Sequence, residues 1–166
     1  MKISSRGRYG LKAMVDIAAQ CSCENCSCQS SDNDSICTCT CVSLKSIAER
    51  QGISEHYLEQ LVSPLKKAGL VKSVRGAKGG YTINKSPKDI TVGEILRALE
   101  GSLCPVKCLE DSENCHCGNA NCTECVTKPV WGRIYEGFIN VVDSIVLQEL
   151  VNDYKNKTSS NCCEGE

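Results

Sequence analysis

A mostly α-helical fold carrying one small β-hairpin is predicted by three observations. Apolar residues recur at helical spacing in several separate stretches, of which Leu11, Met14, Val15 and Ala18 form the first. Two short runs rich in β-branched and aromatic residues, Leu70 to Val74 and Gly80 to Ile83, flank the glycine-rich turn Arg75-Gly76-Ala77-Lys78-Gly79. Good N-cap residues, Ser43, Ser54 and Thr91, stand immediately before helical patterns. At 166 residues the chain is long enough for one ordinary domain with a helical arm, and too short for two full domains. The predicted organisation is a winged helix-turn-helix domain over 1–101 with a cysteine-rich insert at 21–41. A cysteine-rich loop over 102–128, a long dimerisation helix within 129–155 and a disordered tail over 156–166 follow.

In chain order, the first helix is expected over residues 6–20, with one apolar stripe. After the insert, Ser43 caps a helix that buries Leu44, Ile47 and Ala48 and stops at Gln51-Gly52. Ser54 caps the next, Glu55 suits the positive end of its dipole, and Leu58, Leu61, Val62 and Leu65 face inward. Pro64 would cost about 3 kcal/mol in a helix interior, so Ser63-Pro64 is expected to start a fresh turn. Gly69 ends it and the hairpin follows. Thr91 and Glu94 form a capping box for a helix burying Val92, Ile95, Leu96 and Leu99, which Gly101 terminates. Pro129 suits a helix start, and Trp131, Ile134, Phe138, Val141 and Ile145 repeat at spacings of three and four. Such a stripe suits packing against a second copy, and an ordinary core helix is the alternative.

The formal net charge of -1 hides a strong local pattern. Residues 1–20 hold Lys2, Arg6, Arg8 and Lys12 against Asp16, and residues 62–85 hold six cations and no acid. Both cysteine-rich stretches sum to -3. The basic stretches are therefore the ones expected at nucleic acid. The basic, amphipathic N-terminus lacks a secretory apolar core, and no run approaches the length of a membrane span. A cytoplasmic setting without membrane contact is expected. There, fifteen cysteines read as metal ligands or redox thiols in preference to disulfides.

A helix opening at Ser54 offers Ser54, His56, Tyr57, Glu59 and Gln60 at the end that enters a major groove. Gln60 can pair with adenine and Glu59 can accept from cytosine. The turn cations Arg75 and Lys78 suit a wing, Arg75 reaching a narrow minor groove. Double-stranded promoter DNA is the expected partner, with Arg8 in the other basic stretch. No phosphate-binding loop, nucleophile elbow or zinc-protease motif is present, so an enzyme is not expected.

Cys104, Cys108, Cys115, Cys117, Cys122 and Cys125 crowd the loop before the Trp131 helix. Soft thiolates at such spacing select zinc, copper(I) or an iron-sulfur cluster, and a metal-free thiol switch is a further possibility. Residues 21–41 carry seven more cysteines in C-x-C spacing, which looks like a metallothionein segment; the bland alternative is a tolerated insertion.

Several stretches carry a family resemblance: Met1-Lys2-Ile3-Ser4 with Arg8-Tyr9-Gly10, Ser54 to Leu61 with Pro64-Leu65, and Gly69 to Gly76 through Gly79-Gly80-Tyr81. Here the chain resembles the winged-helix regulators that include the iron-sulfur regulator IscR, the nitric-oxide sensor NsrR and the cysteine-metabolism repressor CymR. The resemblance implies a homodimer on a palindromic promoter site. It places Ser54, His56, Glu59 and Gln60 on the recognition helix and Arg75 at the minor-groove wing. In cluster-binding members three cysteines occupy the loop, the last six residues before the tryptophan, as Cys125 is from Trp131. The companions would come from Cys108, Cys115 and Cys117. One departure is Lys128, where the iron-sulfur regulator has a histidine three residues past the third cysteine. Lysine is a poor iron ligand, so a fourth cysteine, His116 or an external ligand would have to complete the site.

The expectation is thus a regulator, a repressor, whose loop binds an iron-sulfur cluster, with zinc as alternative, and tunes promoter binding. Two rivals stand beside it: a metal-buffering or thiol-redox protein, and a cysteine-metabolism repressor controlled by a partner enzyme.

Overall fold

The computed structural model describes residues 3–20, 41–76, 79–110 and 125–160. Seven α-helices and one hairpin are seen among them: α1 (Ser5–Gln20), α2 (Leu44–Gln51), α3 (Glu55–Lys67), β1 (Val71–Val74), β2 (Gly80–Ile83), α4 (Val92–Glu100), α5 (Lys107–Glu110), α6 (Lys128–Ser144) and α7 (Leu147–Ser160). The caps act as the sequence predicts. Ser43 accepts from the Ser46 amide, and Gly52 closes α2 in the left-handed conformation at φ 62. Ser54 accepts from the Tyr57 amide. Thr91 and Glu94 satisfy each other's backbone N–H groups reciprocally.

β1 and β2 pair antiparallel, from Val71 opposite Ile83 to Val74 opposite Gly80. Val42 adds a backbone bridge on the other edge of β2 that periodicity did not reveal. Its N–H donates to the Tyr81 carbonyl at 2.9 Å and its carbonyl accepts from the Tyr81 N–H at 2.8 Å. One core joins Met14 and Ile17 of α1, Ile47 of α2, Leu58, Leu61 and Leu65 of α3, Ile83 of β2 and Ile95 of α4. Leu147 and Val151 of α7 complete it, so the C-terminal helix folds back onto the head.

Three expectations are corrected. First, no fresh turn starts at Pro64, because α3 runs through it. Leu61 and Val62 before the proline and Leu65 after it are all buried on one face. Burying such side chains stabilises by about 1.5–3 kcal/mol each, enough together to outweigh the proline penalty of about 3 kcal/mol. Second, the long C-terminal helix is two helices. The chain leaves helical geometry at Ile145-Val146, where the Val92 N–H donates to the Ile145 carbonyl at 2.9 Å and the Leu147 N–H to the Ile90 carbonyl at 2.8 Å. Ile145 thus caps α6 instead of extending its stripe. Third, residues 156–160, expected in a disordered tail, continue α7, which ends at Ser160.

Candidate nucleic-acid interface and cysteine loop

The turn between α2 and α3 is held from behind. Asp16, fully buried on α1, accepts two hydrogen bonds from Arg50 Nε, one from Arg50 Nη2 and one from Gln51 Nε2 at 2.8 Å. This carboxylate raises the Arg50 pKa above its ordinary value. It fixes the C-terminal end of α2 on α1, and hence the approach of the chain into α3. The sequence offered a signal for it, since Asp16 falls among Ala13, Met14 and Ile17 on the apolar face of α1.

With that scaffold set, α3 presents its opening turns to solvent. His56, Glu59 and Gln60 are exposed, whereas Tyr57 is half-buried and meets Tyr9 of α1 edge-on, at 6.1 Å between ring centroids. Arg8 and Lys12 sit 5.0 Å and 5.8 Å from the Tyr9 ring centre, so an aromatic pair with two cations joins α1 to the exposed helix. A groove of about 550 Å³ lies between Arg6 of α1 and the Glu59, Gln60 and Lys67 side of α3. On the far end of α3, Lys66 Nζ donates to Ser73 Oγ of β1 at 2.6 Å. The hairpin is thereby tied beside the helix. Arg75 follows β1 and is exposed, and Gly76 has φ 123, a conformation that favours glycine. Lys78 lies outside the described residues.

α4 links this head to the rest. Near its C-terminal end Glu100 Oε1 accepts from the Ser4 N–H at 3.2 Å, the Ser4 hydroxyl at 2.5 Å and the Gly7 N–H at 2.8 Å. It therefore holds the start of α1. Arg97 donates to both carboxylate oxygens of Asp143 on α6, at 2.8 and 2.6 Å. That pairing lowers the Asp143 pKa. A Cβ at Gly93 would overlap Asp143 Oδ1, so glycine leaves the carboxylate its seat. None of these links was visible in the spacing of the sequence.

Beyond Asp143, α6 is weakly covered. Val142 is its buried residue, while Val130, Trp131, Ile134 and Val141 are 55, 37, 44 and 58% exposed. At the other end of the helix is the cysteine loop. Cys108 is buried on α5, which packs on α6, and the Cys104 thiol donates to the Val106 carbonyl at 3.3 Å. Cys125 lies 3.3 Å from Thr127 Oγ1. The Thr127 hydroxyl, then the backbone N–H groups of Thr127 and Lys128, pull its thiol below the ordinary value. Such a thiol favours the thiolate that metals bind. Even so, among the described residues no three His, Cys, Asp or Glu side chains converge as a metal site. Cys115, Cys117, Cys122 and His116, with the insert cysteines before Cys41, lie outside the described residues. No helix among those described is long and apolar enough to cross a membrane.

A family model described as an iron-dependent transcriptional regulator matches residues 37–153. The chain is 42% identical over 152 residues to the HTH-type transcriptional regulator CymR of Bacillus subtilis, covering 92% of this chain and 91% of that one. It is 39% identical over 153 residues to the HTH-type transcriptional regulator IscR of Aliivibrio salmonicida, covering 92% and 79%. Among solved structures, CymR (YrzC), the global cysteine regulator of B. subtilis, superposes with a TM-score of 0.67 at 42% identity, over 92% of this chain and 97% of that one. T. potens IscR does so with a TM-score of 0.66 at 43% identity, over 93% and 88%.

Proposed function

The chain belongs to the Rrf2 family of transcriptional regulators, and from that membership we propose that it acts as a dimeric repressor on a palindromic promoter site. In this reading the N-cap Ser54 and His56, Glu59 and Gln60 of α3 face a major groove, Tyr57 braces the helix on α1, and Arg75 with Lys78 meets a minor groove. Arg8 lies at the phosphates. The observation that carries the reading is the exposed polar face of α3 joined to the hairpin through Lys66 and Ser73. Two copies pair through the Trp131, Ile134 and Val141 face of α6, which a lone chain leaves in water. Half-sites would then lie about one helical turn apart, and binding would weaken steeply with salt.

The loop cysteines are the sensing part. Cys125 and partners drawn from Cys104, Cys108, Cys115, Cys117 and Cys122 would hold an iron-sulfur cluster, with zinc as the alternative. The chemistry fits through the thiolate that Thr127 and the start of α6 favour at Cys125. A bound cluster would supply sensitivity to iron and oxidants, while this chain's own part is to hold α6 against α4 through Arg97 and Asp143. A coupling of about 1–3 kcal/mol between loop and DNA would suffice.

A second reading is supported by the 42% identity to CymR: a cysteine-metabolism repressor controlled by a partner enzyme. Anaerobic purification separates the two. A visible spectrum with matching iron and sulfide favours the cluster, and a colourless, metal-free protein that still selects a duplex favours the enzyme-controlled repressor. Cys125→Ala should lower metal content; unchanged content would remove Cys125 from the ligands. Arg75→Ala should weaken specific binding more than random-sequence binding, and equal losses would make Arg75 a phosphate contact.

A further inference from the structure

On the exposed face of α3, three side chains of the opening turns touch one another. Gln60 Nε2 lies 3.2 Å from His56 Nε2, and His56 Nδ1 lies 3.9 Å from Glu59 Oε2. The second distance is too long for a hydrogen bond, yet the carboxylate attracts a proton on Nδ1. With Nδ1 protonated and the ring neutral, Nε2 is a lone-pair acceptor, and it takes one of the two amide N–H groups of Gln60. The amide cannot then turn freely. Its remaining N–H and its Oε1 are then left as a donor beside an acceptor, the pair that adenine N7 and N6 require.

We propose that His56 is a specificity-determining residue, one that sets which edge of the Gln60 amide meets the bases. The inference rests on the reading of α3 as the major-groove helix. A protonated ring reverses the hydrogen bond. Nε2 becomes a donor, Oε1 of Gln60 turns toward it, and the outward edge carries N–H groups alone. Such an edge is mismatched to the adenine amino group and matched to the two acceptors of guanine, N7 and O6. The charged groups on the two elements that make this face are Glu55, Glu59, Lys66 and Lys67 of α3 and Arg6, Arg8 and Lys12 of α1. Glu59 contacts the ring, and Arg6 and Lys67 line the groove beside Gln60. The His56 side chain is 83% exposed, so the ring is open to solvent on this face.

The test is selection of binding sites by the full-length protein from a randomised duplex pool at about pH 8 and at about pH 5.5. Gln60→Ala identifies the base position concerned. At that position the protein should prefer adenine in the alkaline selection and shift toward guanine by about tenfold in the acid one. His56→Gln removes the ionisable ring, so whatever base it prefers should be the same at both pH values. His56→Ala should lose about tenfold in adenine discrimination at either pH. An unchanged base preference across pH overturns the proposal, as does a His56→Gln protein that shifts like the parent. Tighter acid binding to every duplex alike also overturns it and makes His56 a phosphate contact. A parent protein that selects no sequence at either pH refutes the major-groove reading itself, whereas a selected site indifferent to His56 refutes the present inference alone.

Discussion

α3 and α6 are both amphipathic helices, yet they bury their apolar faces on different terms. Leu58, Leu61, Val62 and Leu65 of α3 are covered by the same chain, whereas Val130, Trp131, Ile134 and Val141 of α6 are left in water with Val142 as the one buried position. The first helix is fixed by the domain's own core. The second is held by Asp143, the backbone pairing around Ile145 and the short α5, and its exposed apolar stripe is available to another surface. Periodicity alone gives both faces the same appearance; only the packing separates a covered stripe from an exposed one.

The largest test of that contrast sets Leu61→Ala against Ile134→Asp. The alanine should cost about 2–5 kcal/mol in denaturant unfolding, the usual penalty for a cavity in a closed core. The aspartate should leave helix content by circular dichroism intact while sedimentation reports loss of the proposed dimer. If the two swap outcomes, the assignment of the faces is wrong. Next is Gly93→Ala, whose methyl would displace Asp143; about 1–3 kcal/mol of stability should be lost, and Asp143→Ala in the same background should recover part of it. A Gly93→Ala protein as stable as its parent would show that the carboxylate seat is dispensable. The smallest effect concerns acid. Arg97 holds the Asp143 pKa below its unfolded value, so the stability it contributes is present above about pH 4 and is lost as pH falls through the lower folded value. Both side chains are more than a third exposed, which keeps the contribution under about 1 kcal/mol, and Arg97→Gln should flatten the acid limb of the unfolding profile.

Much of the head was legible in the chain. Ser43, Ser54 and the Thr91-Glu94 box mark helix starts because caps satisfy orphan N–H groups locally, and locally is where sequence speaks most clearly. Pro64 misled for the same reason: its local penalty is real, but Leu65 is buried by partners far away in sequence. The division at Ile145-Val146 has no glycine or proline to announce it, since the break comes from pairing with Ile90 to Val92. The candidate site followed the same rule. His56, Glu59, Gln60 and Arg75 could be picked from residue type and position, but the contacts that orient them, from Asp16, Tyr9 and Ser73, required the fold.

The rung between Val42 and Tyr81 bears on how a segment of foreign composition can be carried inside an otherwise regular head. One end of that segment leaves the last turn of α1 and the other is stitched into the hairpin, so both exits are set by the surrounding structure whatever conformation residues 21–40 take. Lengthening a connection between two fixed exits is cheap, about 0.6 kcal/mol for each doubling. Residues could therefore be added between these exits, thiol by thiol, without moving the surface proposed to meet the promoter.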